Sequence, residues 1–155
     1  MKGKEEGNME LKKIIKMMKE FREHCIDVSR NEDSLREEFC RITDDITVYL
    51  QEGGRLYAVS NDEESLVHVR YKQFDCLAVY LGKEEALKYY PAVYEYRAEN
   101  LFRLIAEKEG DGILLDRYSD HSMIICDHDF TGMLLRVLFP DIDYQRIKMS
   151  DFSNS

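Results

Sequence analysis

The sequence is poor in residues that interrupt regular structure: its 155 residues include 2 Pro, 8 Gly and no Trp. This composition excludes collagen-like chains and flexible linkers. No apolar run approaches the roughly 20 residues that a membrane-spanning helix needs, and the polar start has no features of a secretory signal. Because 44% of the residues are hydrophobic, the chain can bury a core, and its length suits one domain. We therefore expect one soluble, cytoplasmic domain that does not associate with membranes.

The charge is predominantly negative, with 31 acidic against 22 basic residues and a net charge of −9. Such a chain repels phosphate backbones, and no stripe of Lys and Arg interleaved with aromatic residues offsets this repulsion locally. We therefore expect no binding to nucleic acid. A solvated acidic surface is the simplest explanation of the charge, and a partner with a basic surface is the alternative.

The chain also lacks the cysteine pattern of a disulfide framework or a zinc site. Its four cysteines are far apart, with no C-x-x-C pair, and each lies among apolar residues; they are Cys25, Cys40, Cys76 and Cys126. A chain with a sufficient core needs no disulfides, which are rare in the cytoplasm. We expect four reduced thiols in the core, with no metal bound.

Two helices are predicted at the amino end. Residues 1–8 are polar and are expected to form a disordered leader, and Met9 is a second possible start of the chain. A helix is predicted over residues 9–28 because its apolar residues are spaced alternately three and four apart; they are Leu11, Ile14, Met18, Phe21, Cys25 and Val28. Ser34 and Glu37 form a potential capping box that would start a second, short helix. Together the two helices make a hairpin over residues 9–43.

The apolar stripe of the first helix needs a cover, because an isolated helix of about twenty residues is only marginally stable in water. Either the sheet of the same chain or the same helix of a second copy could provide it. The short connection to the second helix favours docking within the chain, and hence a monomer. A homodimer through the N-terminal helix is the alternative, since the spacing also suits a two-fold helix pair.

The pattern changes to that of strands at about residue 45. Segments typical of strands are 46–51, 56–60, 66–71, 76–81, 113–115 and 123–126, with 93–96 as a further candidate. The first two would form a hairpin around the turn at Gly53-Gly54. Segment 76–81 is apolar throughout, as in a central strand that is covered on both faces.

Three further helices are indicated between and after these strands. One opens near Gly82 and stops at Pro91, and a second ends with Gly110 as its C-terminal cap. The third begins after the last strand, with Asp127 or Asp129 as its N-terminal cap.

This order of elements predicts an α+β fold: a mixed, largely antiparallel sheet of five or six strands covered by helices, with the N-terminal helical hairpin added. It forms one domain over residues 9–149, followed by a flexible tail at 150–155. The most buried residues should come from the apolar strands and the helix facing them; they are Leu77, Val79, Leu81, Leu104, Ile113 and Leu115.

The only candidate site is the polar loop between the last two strands. Its candidate residues are Asp116, Arg117, Ser119, Asp120 and His121. Three of these are the residue types of a catalytic triad, but no nucleophile elbow is present and adjacency in sequence does not bring a triad together. Cys126 and His128 could approach His121 to bind zinc, yet the paired spacing of structural zinc sites is missing. No glycine-rich segment matches a phosphate-binding loop. We predict no catalytic residues, no metal and no cofactor.

Residues 45–138 resemble the N-terminal domain of the enhanced-serine-sensitivity (SseB-like) family of bacterial proteins. The resemblance lies in the strand pair 47–50 and 56–60, in the strand and helix of 77–86, and in the helix, Gly-hydrophobic strand and polar turn of 104–116. The usual Asn-Pro of that turn is replaced here by Asp116-Arg117. The resemblance implies a small cytoplasmic bacterial α/β domain with no established catalytic residues.

The function predicted from these observations is a non-enzymatic protein-binding or regulatory module of the SseB-like type. One alternative is an immunity-type inhibitor whose acidic surface blocks a basic toxin or nuclease. The other is a small-molecule-binding domain or weak enzyme that uses the loop at residues 116–126.

Overall fold

The computed structural model describes residues 4–141, with side chains from Met9 onward, and this part of the chain contains five helices and six strands. The tail predicted at residues 150–155 lies outside the described residues. The helices are α1 (Lys4–Cys25), α2 (Glu32–Gln51), α3 (Lys83–Leu87), α4 (Ala98–Glu107) and α5 (Asp127–Leu138). The strands are β1 (Arg55–Ser60), β2 (His68–Tyr71), β3 (Phe74–Tyr80), β4 (Ala92–Arg97), β5 (Gly112–Leu115) and β6 (Met123–Cys126). No described helix is both long and apolar enough to cross a membrane.

The strands form one mixed sheet in the order β4-β1-β3-β5-β6, with β2 also paired to β3. β1 and β2 pair with different parts of β3, at Val79–Tyr80 and at Phe74–Leu77 respectively. β3 and β5 run parallel, and every other pair is antiparallel. The predicted α+β fold, with its largely antiparallel sheet and N-terminal helical hairpin, is confirmed.

β3 is the central strand, and both of its faces are covered. Leu77 and Val79 belong to the main core, to which α1, α2, α4 and α5 all contribute, whereas Ala78 and Tyr80 belong to a smaller cluster that includes Ala86 of α3. Alternate residues therefore face two different apolar layers, which explains why the strand is apolar from Cys76 to Tyr80.

The strand predicted at residues 46–51 is wrong, because α2 continues through this segment to Gln51. Ile42, Ile46 and Leu50 are four residues apart and all buried, which is the spacing of one helix face. Packing of this face outweighs the strand propensity of the local sequence. α2 ends just before Gly53, whose φ of 102° only glycine adopts readily. The helical hairpin therefore extends beyond residue 43, and of the strand pair cited for the SseB-like resemblance only residues 56–60 form a strand.

Three helix starts differ from those predicted. α1 begins at Lys4 rather than Met9, so the helix reaches into the segment that was predicted to be a disordered leader. α2 is capped by Asn31, whose side chain accepts a hydrogen bond from the Ser34 backbone N–H at 2.7 Å, and the capping box is not used. Cys126 is the N-cap of α5 and makes no side-chain cap hydrogen bond, so neither Asp127 nor Asp129 caps that helix.

The end of α4 also differs from the prediction. Glu109, not Gly110, occupies the left-handed position, with φ of 55°. The Gly110 N–H donates to the Ile105 carbonyl at 2.9 Å and closes the turn. Glycine is nevertheless required there, because a Cβ at residue 110 would lie 2.9 Å from Cγ2 of Ile105.

Five of the six residues predicted for the core are buried, and Leu104 is the exception. It is only partly buried because it borders an open groove, whereas Leu101, Phe102 and Ile105 form the buried face of α4. The prediction that all four cysteines lie in the core is also wrong, since Cys25 and Cys40 are exposed.

The first helix docks on its own chain. Ile14 and Met18 are 2% and 0% exposed and belong to the main core. Phe21 packs against Phe39 of α2, with 5.8 Å between ring centroids. The predicted docking of α1 within the chain is thus confirmed for the centre of the helix.

Replacing Phe21 by Glu should lower the free energy of unfolding by about 1–3 kcal/mol, because a charge would be placed between α1 and α2. Urea denaturation would measure the loss, and sedimentation would measure the mass. Ile26→Glu is the matched control, since Ile26 is 83% exposed. A dimer that dissociates in the Phe21 variant while each chain keeps its stability would contradict docking within the chain.

Candidate functional site

The polar loop identified from the sequence lies at the carboxyl end of the parallel pair β3–β5. It begins directly after Leu115, the last residue of β5, and lies beside Leu81, which follows β3. The crevice beyond the carboxyl ends of parallel strands is the usual place for ligands in α/β sheets. The topology therefore places the predicted site residues where binding sites are common.

Asp116 fixes the start of the loop. Its side chain is 2% exposed, and its Oδ1 accepts a hydrogen bond from the Leu81 backbone N–H at 2.9 Å. Its own N–H donates to the Val79 carbonyl at 2.9 Å. Its φ of 49° lies in the left-handed region, which aspartate tolerates better than most residues. The chain thus turns sharply out of β5 while its carboxylate ties the turn to the end of β3.

His121 lies between two carboxylates. Its Nε2 is 2.7 Å from Oδ2 of Asp116 and its Nδ1 is 2.9 Å from Oδ1 of Asp120. A carboxylate only accepts hydrogen bonds, so both contacts are satisfied together when the ring is protonated at both nitrogens. Burial favours the neutral ring, but the hydrogen bonds to Asp116 and Asp120 outweigh burial and raise the pKa of His121 above its usual value.

Helix α1 holds the far side of the loop. Nζ of Lys19 is 3.3 Å from Oδ2 of Asp120. Arg22 donates to the Ser119 carbonyl at 3.2 Å and to Oγ of Ser122 at 2.7 Å. The hydrogen bonds from His121 and then from Lys19 lower the pKa of the Asp120 carboxyl. The N-terminal hairpin is therefore a structural support of the site.

Ser119 and His121 are close together but are not arranged as a nucleophile and its base. The Ser119 hydroxyl donates to the Asp116 carbonyl at 2.6 Å. Both ring nitrogens of His121 already contact carboxylates, so neither is available to accept a proton from that hydroxyl. The residue types of a triad serve here to shape a turn.

Four tyrosine rings and one guanidinium form a patch beside this loop, here called the tyrosine patch. Its members are Tyr80, Tyr89, Tyr90, Arg117 and Tyr118. Tyr89 and Tyr118 have ring centroids 5.4 Å apart and are 42% and 60% exposed. Tyr80 and Tyr90 lie beneath them and are buried, with centroids 6.1 Å apart. Burial raises the pKa of the Tyr80 hydroxyl.

Arg117 connects the loop to the rings of the tyrosine patch. Its guanidinium carbon is 4.6 Å from the Tyr118 ring centroid, and it donates to the Tyr90 hydroxyl at 3.2 Å. The Tyr80 hydroxyl donates in turn to the Arg117 carbonyl at 2.7 Å. Among the ion pairs of residues 9–141, none joins Arg117 to a carboxylate. Within that part of the chain the guanidinium therefore keeps N–H donors that no carboxylate occupies.

The tyrosines could not be identified as a site from the sequence. They come from three separate segments: the end of β3, the turn after α3, and the polar loop. The adjacent pair Tyr89-Tyr90 was the only local signal in the sequence. Its contact with Tyr118, which follows much later in the chain, depends on the parallel pairing of β3 with β5.

Away from this loop, an open groove of about 530 Å³ lies between β2, β3 and α4. Its lining includes Leu66, Leu77 and Leu104, together with His68 and Asp75, whose Nδ1 and Oδ1 atoms are 3.3 Å apart.

Within residues 9–141, the zinc site considered from the sequence does not form. His128, which is two residues from Cys126 in the sequence, has 53% of its side chain exposed. Across the described residues no three His, Cys, Asp or Glu side chains are arranged to hold a metal ion.

Comparison of the sequence with models of protein families found no match, and neither did comparison with curated proteins. The SseB-like resemblance therefore stays a prediction, and the loop and the tyrosine patch are the features of the structure that indicate a function.

Proposed function

We propose that this chain is a non-enzymatic protein-binding module whose contact surface is the tyrosine patch. The observation that carries the proposal is the pair of exposed rings, Tyr89 and Tyr118, with Arg117 stacked on the second of them. Tyrosine and arginine are enriched among the residues that contribute most binding energy in protein interfaces. We also keep SseB-like membership as a proposal, supported by the pattern of residues 56–116.

The rigidity of the loop supports this function. Arg117 and Tyr118 lie between Asp116 and Ser119, which are both held by hydrogen bonds, to Leu81 and Arg22 respectively. The side chain of Arg117 is itself fixed by Tyr90. A surface ordered before binding loses less conformational entropy when the complex forms, so more of the contact energy appears as affinity.

The chemistry of the patch indicates what a partner must supply. The exposed faces of Tyr89 and Tyr118 suit an apolar or aromatic side chain. Beside them, the remaining donors of Arg117 suit an acceptor oxygen, for which a carboxylate is the strongest choice because its hydrogen bonds would be charge-assisted. We therefore propose a protein segment in which an apolar side chain lies next to an acidic one.

The test is a comparison of proteins retained by three immobilised forms of the chain: the wild type, the Arg117→Ala/Tyr118→Ala double variant and a Tyr94→Ala control. Tyr94 is 37% exposed on β4 and lies outside the tyrosine patch. A partner retained by the wild type and the control should be lost by the double variant. With that partner purified, the double substitution should weaken binding by about 10- to 100-fold.

Thermal denaturation of the double variant should show that the fold is retained. A partner that binds the folded double variant as tightly as the wild type would contradict the proposed surface.

A further inference from the structure

The two contacts of His121 depend on its charge. A neutral imidazole has one N–H donor and one acceptor nitrogen, so it can satisfy only one of the two carboxylates that face it. At the other carboxylate, an acceptor nitrogen of the ring would face an acceptor oxygen at less than 3 Å. Loss of the ring proton must therefore break one of the contacts at 2.7 Å and 2.9 Å.

The contact with Asp120 is the one expected to break. The Asp116 side chain is 2% exposed and is held by the Leu81 N–H, so it cannot move into solvent without leaving that donor unpaired. The Asp120 side chain is 65% exposed and has Lys19 as a second partner. It can rotate away from His121 at little cost.

We propose that the ring proton of His121 acts as a switch for the tyrosine patch: the protonated ring joins Asp120 to Asp116 and closes residues 116–121 in the binding conformation. The neutral ring releases Asp120 and leaves the loop held only at Asp116 by Leu81, at Ser119 by Arg22 and at Arg117 by Tyr90, which increases the motion of Arg117 and Tyr118. This inference rests on the proposed function of the tyrosine patch.

The direction of the switch follows from the groups around the ring. Asp116 at the end of β5 and Asp120 in the loop face the ring directly; α1 contributes Lys19, which contacts Asp120, and Arg22, which binds the loop at Ser119 and Ser122. Leu81, directly after β3, contributes its uncharged amide to Asp116, and the Tyr80 hydroxyl of β3 donates to the Arg117 carbonyl. The contacts with the two carboxylates raise the pKa of His121 above the ordinary value for histidine. The stabilisation of the loop by the protonated ring is therefore complete below the ordinary pKa, and it is lost as pH rises through the raised pKa.

The experiment is a pH titration of the free protein by NMR between about pH 5.5 and 9, which spans the histidine range. The readouts are the ring resonances of His121 and the cross-relaxation between the Tyr89 and Tyr118 rings, whose centroids are 5.4 Å apart. The ring contact should weaken with the same midpoint as the His121 titration. A ring contact that stays constant while His121 titrates would overturn the proposal.

Two variants locate the switch. Asp120→Ala should lower the pKa of His121 and remove the pH dependence of the ring contact, whereas Lys19→Ala should keep both transitions coupled. A coupled transition that persisted in Asp120→Ala would also overturn the proposal. With a purified partner, affinity should fall about tenfold if about one tenth of the chain keeps the binding conformation at high pH.

The two proposals fail separately. Binding that is insensitive to Arg117→Ala/Tyr118→Ala argues against the surface, whereas sensitive binding together with an uncoupled ring contact argues against the switch alone.

Discussion

Replacing Phe102 by Ala is expected to lower the free energy of unfolding by about 3–5 kcal/mol. Phe102 is fully buried between α4 and α5, and its ring meets that of Phe130 edge to face, with centroids 5.4 Å apart. The substitution would leave a cavity in a rigid part of the core, because helices on both sides are held against the sheet. Urea denaturation monitored by circular dichroism would measure the change.

Leu104→Ala is the matched control on the same helix. Leu104 is only partly buried beside the open groove, so its loss should cost less than about 2 kcal/mol. If Leu104→Ala lowered the free energy of unfolding as much as Phe102→Ala, or more, the buried face of α4 would not be the one that contains Phe102.

Asp116→Ala should cost about 3–5 kcal/mol near pH 6, because it removes one partner of a buried charged pair. Two donors would be left without their acceptor, the Leu81 N–H and the Nε2–H of His121, while the Nδ1–H of His121 would keep Asp120. Alanine also tolerates the φ of 49° less well than aspartate does. The loss should shrink as pH rises and the ring becomes neutral, since an uncharged ring is less costly to bury without a partner.

Asp116→Asn separates the charge of this side chain from its geometry. Asparagine keeps an acceptor for the Leu81 N–H and adopts left-handed backbone readily, but it has no charge to pair with His121. Its cost should therefore be smaller than that of alanine. If the alanine variant were as stable as the wild type at pH 6, the buried pair would have no role in holding the loop.

The sequence predicted most elements of this fold because their patterns were local. The apolar run of β3, the Gly82 start of α3 and the two short strands after Gly110 are all present. The exception is the strand predicted at residues 46–51, which belongs to α2 instead. Residues 46–51 are rich in β-branched and aromatic residues, but the burial of Ile46 and Leu50 in the main core is a tertiary effect that prolongs α2.

The candidate site could be predicted only in part, for a similar reason. The five polar candidates lie within six consecutive residues, and the structure brings them together in one hydrogen-bonded loop. What the sequence could not show is that Lys19 and Arg22 of α1 reach this loop, or that Tyr89 and Tyr90 lie next to it. Those neighbours depend on strand order and helix docking, which have no local signal.

The contacts between α1 and the loop have a consequence for folding during synthesis. Arg22 and Ser119 are 97 residues apart in the chain. At about 5–20 residues per second, a ribosome adds Ser119 roughly 5–20 s after Arg22. During that interval most of the sheet that covers Ile14 and Met18 is still being made, so the nascent helix exposes the apolar stripe it later buries. Helix α1 is therefore made before most of the elements it docks on and completes its docking only after β5 and β6 have been made.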